Sequence, residues 1–200
     1  MTTPAPSAAP SSTPRTGVAT RARIVDAAVH CLVRDGVAGA SMAAIAAEGG
    51  VSKALLHYHY ADRERLLAEV VGQLGHRITG RERAAMDVAT GSGTVDALWE
   101  WLAGELSRGE LRALLELAMQ HEFGVRTAAD TVAVARGRAA TQTVEQLFAG
   151  LGLTPRMPAA LLGGASVAFI DGLAIGATSS GRDPRVSFDL FWLALLSLAE

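Results

Sequence analysis

The chain has 200 residues, half of them hydrophobic but only 5% aromatic, so alanine and leucine must build most of its core, and both favour helices. A net charge of −2 excludes a polycation, and a single cysteine, Cys31, excludes a disulfide framework and suits a reducing compartment. The charge is uneven: seven Lys/Arg face five Asp/Glu between Arg15 and Arg65, but eleven face fifteen from Leu66 to Glu200, so the front quarter is slightly basic.

Residues 1–16 carry four of the seven prolines and no apolar run, which predicts a disordered tail. They lack the hydrophobic stretch of a signal peptide, and a cytoplasmic location is expected. Beyond the tail the pattern is helical, with no strand-like alternation. Ile24, Ala27, Ala28, Cys31 and Leu32 mark a first helix over Arg21–Asp35, closed by Gly36. Ser41 suits the cap of a short second helix with Met42, Ile45 and Ala46, broken at Gly49-Gly50. Ser52 can cap a third, Lys53 to about Tyr60, and Asp62 a fourth, from Arg63 through Leu66, Leu67, Val70 and Leu74 into the eighties. Further helices are predicted over Thr94–Arg108, Leu111–Phe123, Arg126–Leu151, Pro158 to about Ser179, and Val186–Ala199, making about nine. The run from Met157 to Thr178 is long enough to cross a bilayer. Its many small residues, its central Asp171 and its lack of basic or aromatic flanks favour a soluble helix, so no membrane partner is expected.

The polar groups concentrate in one place. Gly50–Tyr60 (GVSKALLHYHY) holds the only lysine, both tyrosines and two of the five histidines. Ala46, Gly50 and Leu56 supply the small crossing residue, tight turn and apolar plug of a helix-turn-helix. With Val51, Leu56 and Tyr60 turned inward, Ser52, Lys53, Ala54, His57 and His59 face outward. Together with Tyr58 they can meet phosphates and base edges of DNA. His57 and His59 lie about 200° apart on a helix, so one metal ion cannot join them. No metal or cofactor is expected, and Cys31 is a small buried hydrophobe on the first stripe.

Residues 21–67 resemble the DNA-binding domain of TetR/AcrR-family transcriptional regulators. The match runs through Ile24, Ala27-Ala28, Gly36, Ser41, Ile45-Ala46, Gly50-Val51-Ser52-Lys53, Leu56, Tyr58-His59-Tyr60, Asp62-Arg63-Glu64 and Leu66. Here Ala54 stands for the family's usual glycine, His57 for its tyrosine, Tyr60 for its phenylalanine and Arg63 for its lysine. The resemblance implies an all-α fold, with a three-helix DNA-binding domain at 17–62 and a helical effector-binding and dimerisation domain at 63–200. It also implies a homodimer, double-stranded operator DNA as partner, and a repressor released by a small-molecule effector. The DNA contacts it implies are Ser41, Ser52, Lys53, Ala54, His57, Tyr58, His59 and Arg63. A helical interaction protein without DNA binding is the alternative. No nucleophile, paired carboxylate or metal motif supports an enzyme, and Gly91-Ser92-Gly93 is a flexible joint between helices.

Two further sites are expected in the second domain. Gly164, Ala168, Gly172 and Gly176 form a ladder of small residues at i+4 spacing, and the last helix carries Phe188, Phe191, Trp192 and Leu195. The ladder serves either close packing of helices within the chain or a subunit interface, and because both helices are apolar on most sides the interface is expected. In a helix over Leu111–Phe123, Glu122 falls within about 20° of Leu111, on the apolar stripe. Arg136 shares a face with Val125, Val132 and Ala139. Either these two charges neutralise each other or sit at wet helix ends, or they anchor an apolar pocket walled by Trp99, Trp101, Met119, His121 and Phe123.

Overall fold

The computed structural model describes residues 14–89, 91, 93–176 and 183–200, and among them the chain is all-α, with nine helices and no strand. They are α1 (Pro14–Gly39), α2 (Met42–Glu48), α3 (Lys53–His59), α4 (Arg63–Asp87), α5 (Gly93–Arg108), α6 (Glu110–Ala118), α7 (Phe123–Gly150), α8 (Ala159–Gly176) and α9 (Pro184–Leu196).

The expected caps form. Ser41 accepts a hydrogen bond from Ala44 N at 3.2 Å, Ser52 from Leu55 N at 3.1 Å and Asp62 from Arg65 N at 2.8 Å. Each satisfies a first-turn N–H that the helix itself cannot. Gly36, at φ 68, interrupts α1 where the sequence predicts its end. The helix starts earlier than expected, at Pro14, and so takes in the last three residues of the anticipated tail; residues 1–13 lie outside the described residues.

Ile24, Ala28, Cys31, Ile45, Leu56 and Leu66 are fully buried and form the core of the head, α1–α3 with the first turns of α4. The 25 residues of α4 span about 37 Å, so this one helix leaves the head and crosses the rest of the molecule. Its far half lies against α7, and α7 in turn packs on α8. Two glycines set these close crossings. A Cβ on Gly75 would stand 2.5 Å from Val132 Cγ1, and one on Gly163 would stand 2.8 Å from the Thr141 backbone nitrogen. The helix α9 closes the far end, with Phe188 against Trp99 at 5.2 Å and Phe191 stacked on Phe169 at 4.1 Å. A short bridge between Pro155 and Ala199 ties the C-terminal residues to the α7–α8 connection.

Other element boundaries also differ from expectation. The sixth helix stops at Ala118 rather than Phe123, and α7 begins at Phe123 rather than Arg126. The reason is tertiary: Glu64 Oε1, on α4, accepts from Gly124 N at 2.6 Å. A carboxylate from another helix thus caps α7 and complements its dipole, starting it early. At the C-terminus α9 covers Pro184–Leu196 rather than Val186–Ala199; Asp183 caps it through Arg185 N, and proline occupies its first turn. The expected end of α8 at Ser179 lies outside the described residues.

By length and composition α8 is the one described helix that is long and apolar enough to cross a membrane. Its Asp171 is bound to Arg136 of α7.

Candidate nucleic-acid interface and effector-side residues

The turn between α2 and α3 is built as the sequence requires. Gly50 takes φ +59, a conformation costly for other residues, and Val51 N donates to Ala46 O at 3.0 Å. A Cβ on Gly49 would sit 3.3 Å from Ala27 Cβ, so α1 can lie directly under the turn. Leu56 and Tyr60 plug α3 into the head, leaving one face of α3 outward. On that face Ser52, Lys53, Ala54, His57 and Tyr58 are exposed and His59 is half-buried. Tyr58 and His59 meet edge to face at 5.3 Å. Ser41 is exposed at the start of α2. Leu55, which carries no polar signal in the sequence, is also exposed on α3. Among the described residues no carboxylate lies within salt-bridge distance of Lys53, so its charge is free for an outside partner.

Arg63 is placed differently from the expected DNA contact. Its Nε donates to Ala40 O at 3.0 Å, its Nη2 donates to Val37 O at 2.6 Å, and its Nη1 lies 3.6 Å from Glu122 Oε1. Three partners hold its guanidinium against the α1–α2 turn and the start of α7. It fastens the head to α4 and does not extend from the recognition face. Behind α3, Arg21 stacks over the Tyr60 ring and binds Glu69, whose carboxyl it holds below the usual carboxylate range. Burial pushes the Tyr60 hydroxyl up, and it does the same to the Cys31 thiol.

The expected pocket residues do not converge. Met119 and Phe123, 77% and 84% exposed, stand with His121 on the surface of the α6–α7 connection. Glu122 lies off both helices and pairs with Arg63, so it neither joins the apolar stripe nor neutralises Arg136. A place on the stripe would need α6 to continue past Ala118, where it ends. Trp99 packs against Phe188 with Arg185 over its ring at 5.2 Å. Trp101 is buried, and its indole N–H has no partner among the described residues. Arg136 is buried as its helical face implies, and it binds Asp171 of α8 at 2.5 and 3.2 Å.

Two buried acids lie outside the sequence-based expectation. Glu105 is wholly enclosed and held by Arg81 at 2.6 and 2.7 Å and by Arg108 at 3.3 Å. Glu82 is 7% exposed and, among the described residues, bound only by the Thr143 hydroxyl, which donates to its Oε1 at 2.8 Å. Both had a visible signal. Glu82 falls four residues after Ile78 and four before Met86, on the buried stripe of α4, and Glu105 falls three after Leu102. Among the described residues no three His, Cys, Asp or Glu side chains gather as a metal-binding group.

On α8, Gly164, Ala168 and Gly172 are exposed, and a Cβ on Gly164, Gly172 or Gly176 would meet no described atom within 4 Å. On α9 the inward and outward faces are exchanged relative to the expected interface. Phe188, Trp192 and Leu195 are buried within the chain, and Phe191 is half-buried against Phe169. The exposed apolar residues there are Val186, Leu190 and Leu193. Aromatic bulk pointed to the wrong side, because Trp99 and Phe169 already supply the partners for those rings.

Residues 24–70 match the family model described as bacterial regulatory proteins, tetR family. The fold is similar to that of a proposed transcriptional regulator from Pseudomonas aeruginosa PAO1, at 26% identity and a TM-score of 0.68, over 86% of each chain. It is also similar to a transcriptional regulator from Rhodococcus sp. Rha1, at 17% identity and a TM-score of 0.71, over 90% of this chain and 97% of that one. SmeT, solved as a complex with triclosan, is similar at 18% identity and a TM-score of 0.65, over 88% of this chain and 91% of its own. The curated proteins give no match.

Proposed function

We propose that the chain is a member of the tetR family of bacterial regulatory proteins, whose model matches residues 24–70, and that it is a homodimeric, cytoplasmic repressor that a small-molecule effector releases from a palindromic operator. The observation that carries this is the outward face of α3, where Lys53, His57 and Tyr58 stand exposed beside the capped start of the helix while Leu56 anchors it from below. Two such helices in a dimer enter successive major grooves on one side of the duplex. Residues 17–62 serve as the DNA-binding domain, and residues 63–200 bind the effector and the second subunit.

The dimer forms through the outward faces of α8 and α9. Leu161, Ala168 and Ile175 on the first and Val186, Leu190 and Leu193 on the second leave an apolar surface that nothing among the described residues covers. The lever is α4. Its first two residues are tied to the start of α7, Arg63 to Glu122 and Glu64 to Gly124 N, and Arg63 is tied to the head through Val37 O and Ala40 O. Movement of α7 therefore reaches the α1–α2 turn of the head, which carries α3, through Arg63, with Glu64 coupling α7 to α4. The triclosan held by SmeT, a neighbour in fold, supports a small molecule as the trigger.

Capture of genomic fragments on the purified protein, followed by titration of the retained sequence at several salt concentrations, tests the reading. Lys53→Ala is expected to lower the log–log salt slope by about 0.9 for each phosphate that the lysine neutralises, or about 2 per dimer. A protein that retains no preferred fragment, or whose affinity does not change with salt, is not an operator-binding regulator.

A further inference from the structure

Glu82 lines a cavity of about 90 Å³ between α4 and α7, together with Met86, Asp87, Gln142, Thr143 and Gln146. The Thr143 hydroxyl occupies one carboxyl oxygen, and the other, Oε2, has no hydrogen-bond partner among the described residues. Every other acid in this part of the core is matched. Glu105 has Arg81 and Arg108, Glu110 has Arg81 and Arg77, and Asp171 has both terminal nitrogens of Arg136. Arg136 is close enough to act on Glu82 electrostatically, but its two described hydrogen bonds, from Nη1 and Nη2, go to Asp171. Asp87, at the mouth, has no described cation within salt-bridge distance either. A carboxylate withdrawn from water without a counterion is costly, so this side chain either stays protonated or receives a cation from outside.

We propose that this cavity is a binding site for a small primary ammonium compound, with Glu82 as the anionic anchor; the inference rests on the effector reading above and names the chemistry of the effector. An ammonium group offers three donors. Glu82 Oε2 accepts one, and the side-chain carbonyls of Gln142 and Gln146 are available to others. Met86 and Ala139 supply apolar wall for the first methylenes. The cavity adjoins a groove of about 340 Å³ that shares Arg83, Ala139 and Gln142 with it, which gives an alkyl tail room to leave along α4 and α7. Arg83 stands at the junction with no described carboxylate partner, so it repels a second positive charge and favours a tail that ends neutral or anionic. Metal ions fit this site poorly, because it offers two carboxylates, only one of them buried.

The test is calorimetric titration of full-length, DNA-free protein with butylammonium chloride, and with 1-butanol and sodium butyrate as neutral and anionic equivalents. Butylammonium is expected to bind and the other two are not. Glu82→Gln, which keeps the size and the bond to Thr143, is expected to weaken butylammonium on the order of tenfold or more, the loss of one charge-assisted hydrogen bond. Ala139→Leu, which fills the cavity without touching the carboxylate, is expected to abolish binding and covers the case in which Glu82→Gln does not fold. Binding should tighten from pH 5.5 to pH 8 as Glu82 gives up its proton, against the opposing charges of Asp87 and Glu105 and with the help of Arg136 and Arg83. Butanol binding as well as butylammonium, unchanged affinity in either variant, or no binding to the wild type each overturns the site. Because no DNA is present, those outcomes leave the operator reading standing. Loss of fragment capture with intact butylammonium binding overturns the operator reading and leaves the site.

Discussion

In the head, the groups that cap each helix come from a few residues away. Ser41 meets Ala44, Ser52 meets Leu55, Asp62 meets Arg65, and Gly36 and Gly50 take the positive φ their turns need. For the helices that follow α4 the deciding polar contacts span the chain. Glu64 caps α7 across 60 residues, Thr143 reaches Glu82 across 61, and Arg136 reaches Asp171 across 35. The first region is specified by local stereochemistry and an apolar plug, and the second by buried charge. Local specification tolerates the loss of one member at modest cost, because water can replace a surface cap. Buried charge does not, because the partner left behind stays in the core.

The sharpest way to break this contrast is Arg136→Met. It strands the Asp171 carboxylate, which is three-quarters enclosed on α8. The expected cost is about 3 kcal/mol in urea denaturation. The double variant Arg136→Met, Asp171→Leu should recover most of it, since replacing both partners of a buried pair with apolar groups is close to neutral. If the single variant is as stable as wild type, buried charge does not govern the second region.

Next in size is Gly163→Ala, set against Gly172→Ala on the same helix. A Cβ at Gly163 meets the Thr141 backbone at 2.8 and 2.9 Å, and backbone cannot swing aside, so about 2 kcal/mol of overpacking is expected. A Cβ at Gly172 meets nothing described within 4 Å. There the gain in helix propensity, up to about 1 kcal/mol, is left unopposed within the chain. Thermal unfolding of the two variants should therefore move in opposite directions. A sedimentation run on Gly172→Leu then asks separately whether that open face belongs to the dimer, which the larger side chain is expected to split.

In the head, Ser52→Ala should cost about 1 kcal/mol, because it removes the one side-chain bond to the first turn of α3. Lys53→Ala, one residue on, should leave unfolding unchanged while lowering DNA affinity, since its side chain is exposed and no described carboxylate pairs with it. Loss of stability in the lysine variant would mean that the recognition face also helps to hold the head together.

The same contrast explains what the sequence disclosed. Caps, glycine turns and the Ile24–Leu32 stripe are written in adjacent residues, so the helices of the head and the outward side of α3 were legible. Arg63 was misplaced because its partners are carbonyls of a turn more than twenty residues earlier, and a carbonyl leaves no mark in the sequence. Glu122 was misplaced because Glu64, from another helix, sets where α7 begins. On α9 most faces are apolar, so periodicity could not distinguish the rings that pack on Trp99 and Phe169 from the Val186, Leu190 and Leu193 face that remains open. Asp171 stood out as the single acid of α8, but only the fold supplies Arg136 beside it.

The smallest expected effect, and the one that best separates the two kinds of specification, is the pH dependence of Glu82→Gln. Burial holds the Glu82 carboxyl above its ordinary value; the bond from Thr143 and the charge of Arg136 oppose this, and Glu105 adds to it. Such a group keeps its proton to higher pH in the folded chain than in the unfolded one. Its contribution to stability is full below the unfolded value and fades as pH rises through the folded one. Glutamine keeps the bond from Thr143 and cannot ionise, so the variant should escape that loss. Paired denaturant titrations should show the variant gaining on wild type from pH 5 to pH 8, by less than the serine cap is worth. Ser52→Ala should show a deficit that does not change over the same range, because the Ser52 hydroxyl does not titrate. If Glu82→Gln instead tracks wild type at every pH, the carboxyl is already matched in the folded chain, and the cavity holds no unanswered charge.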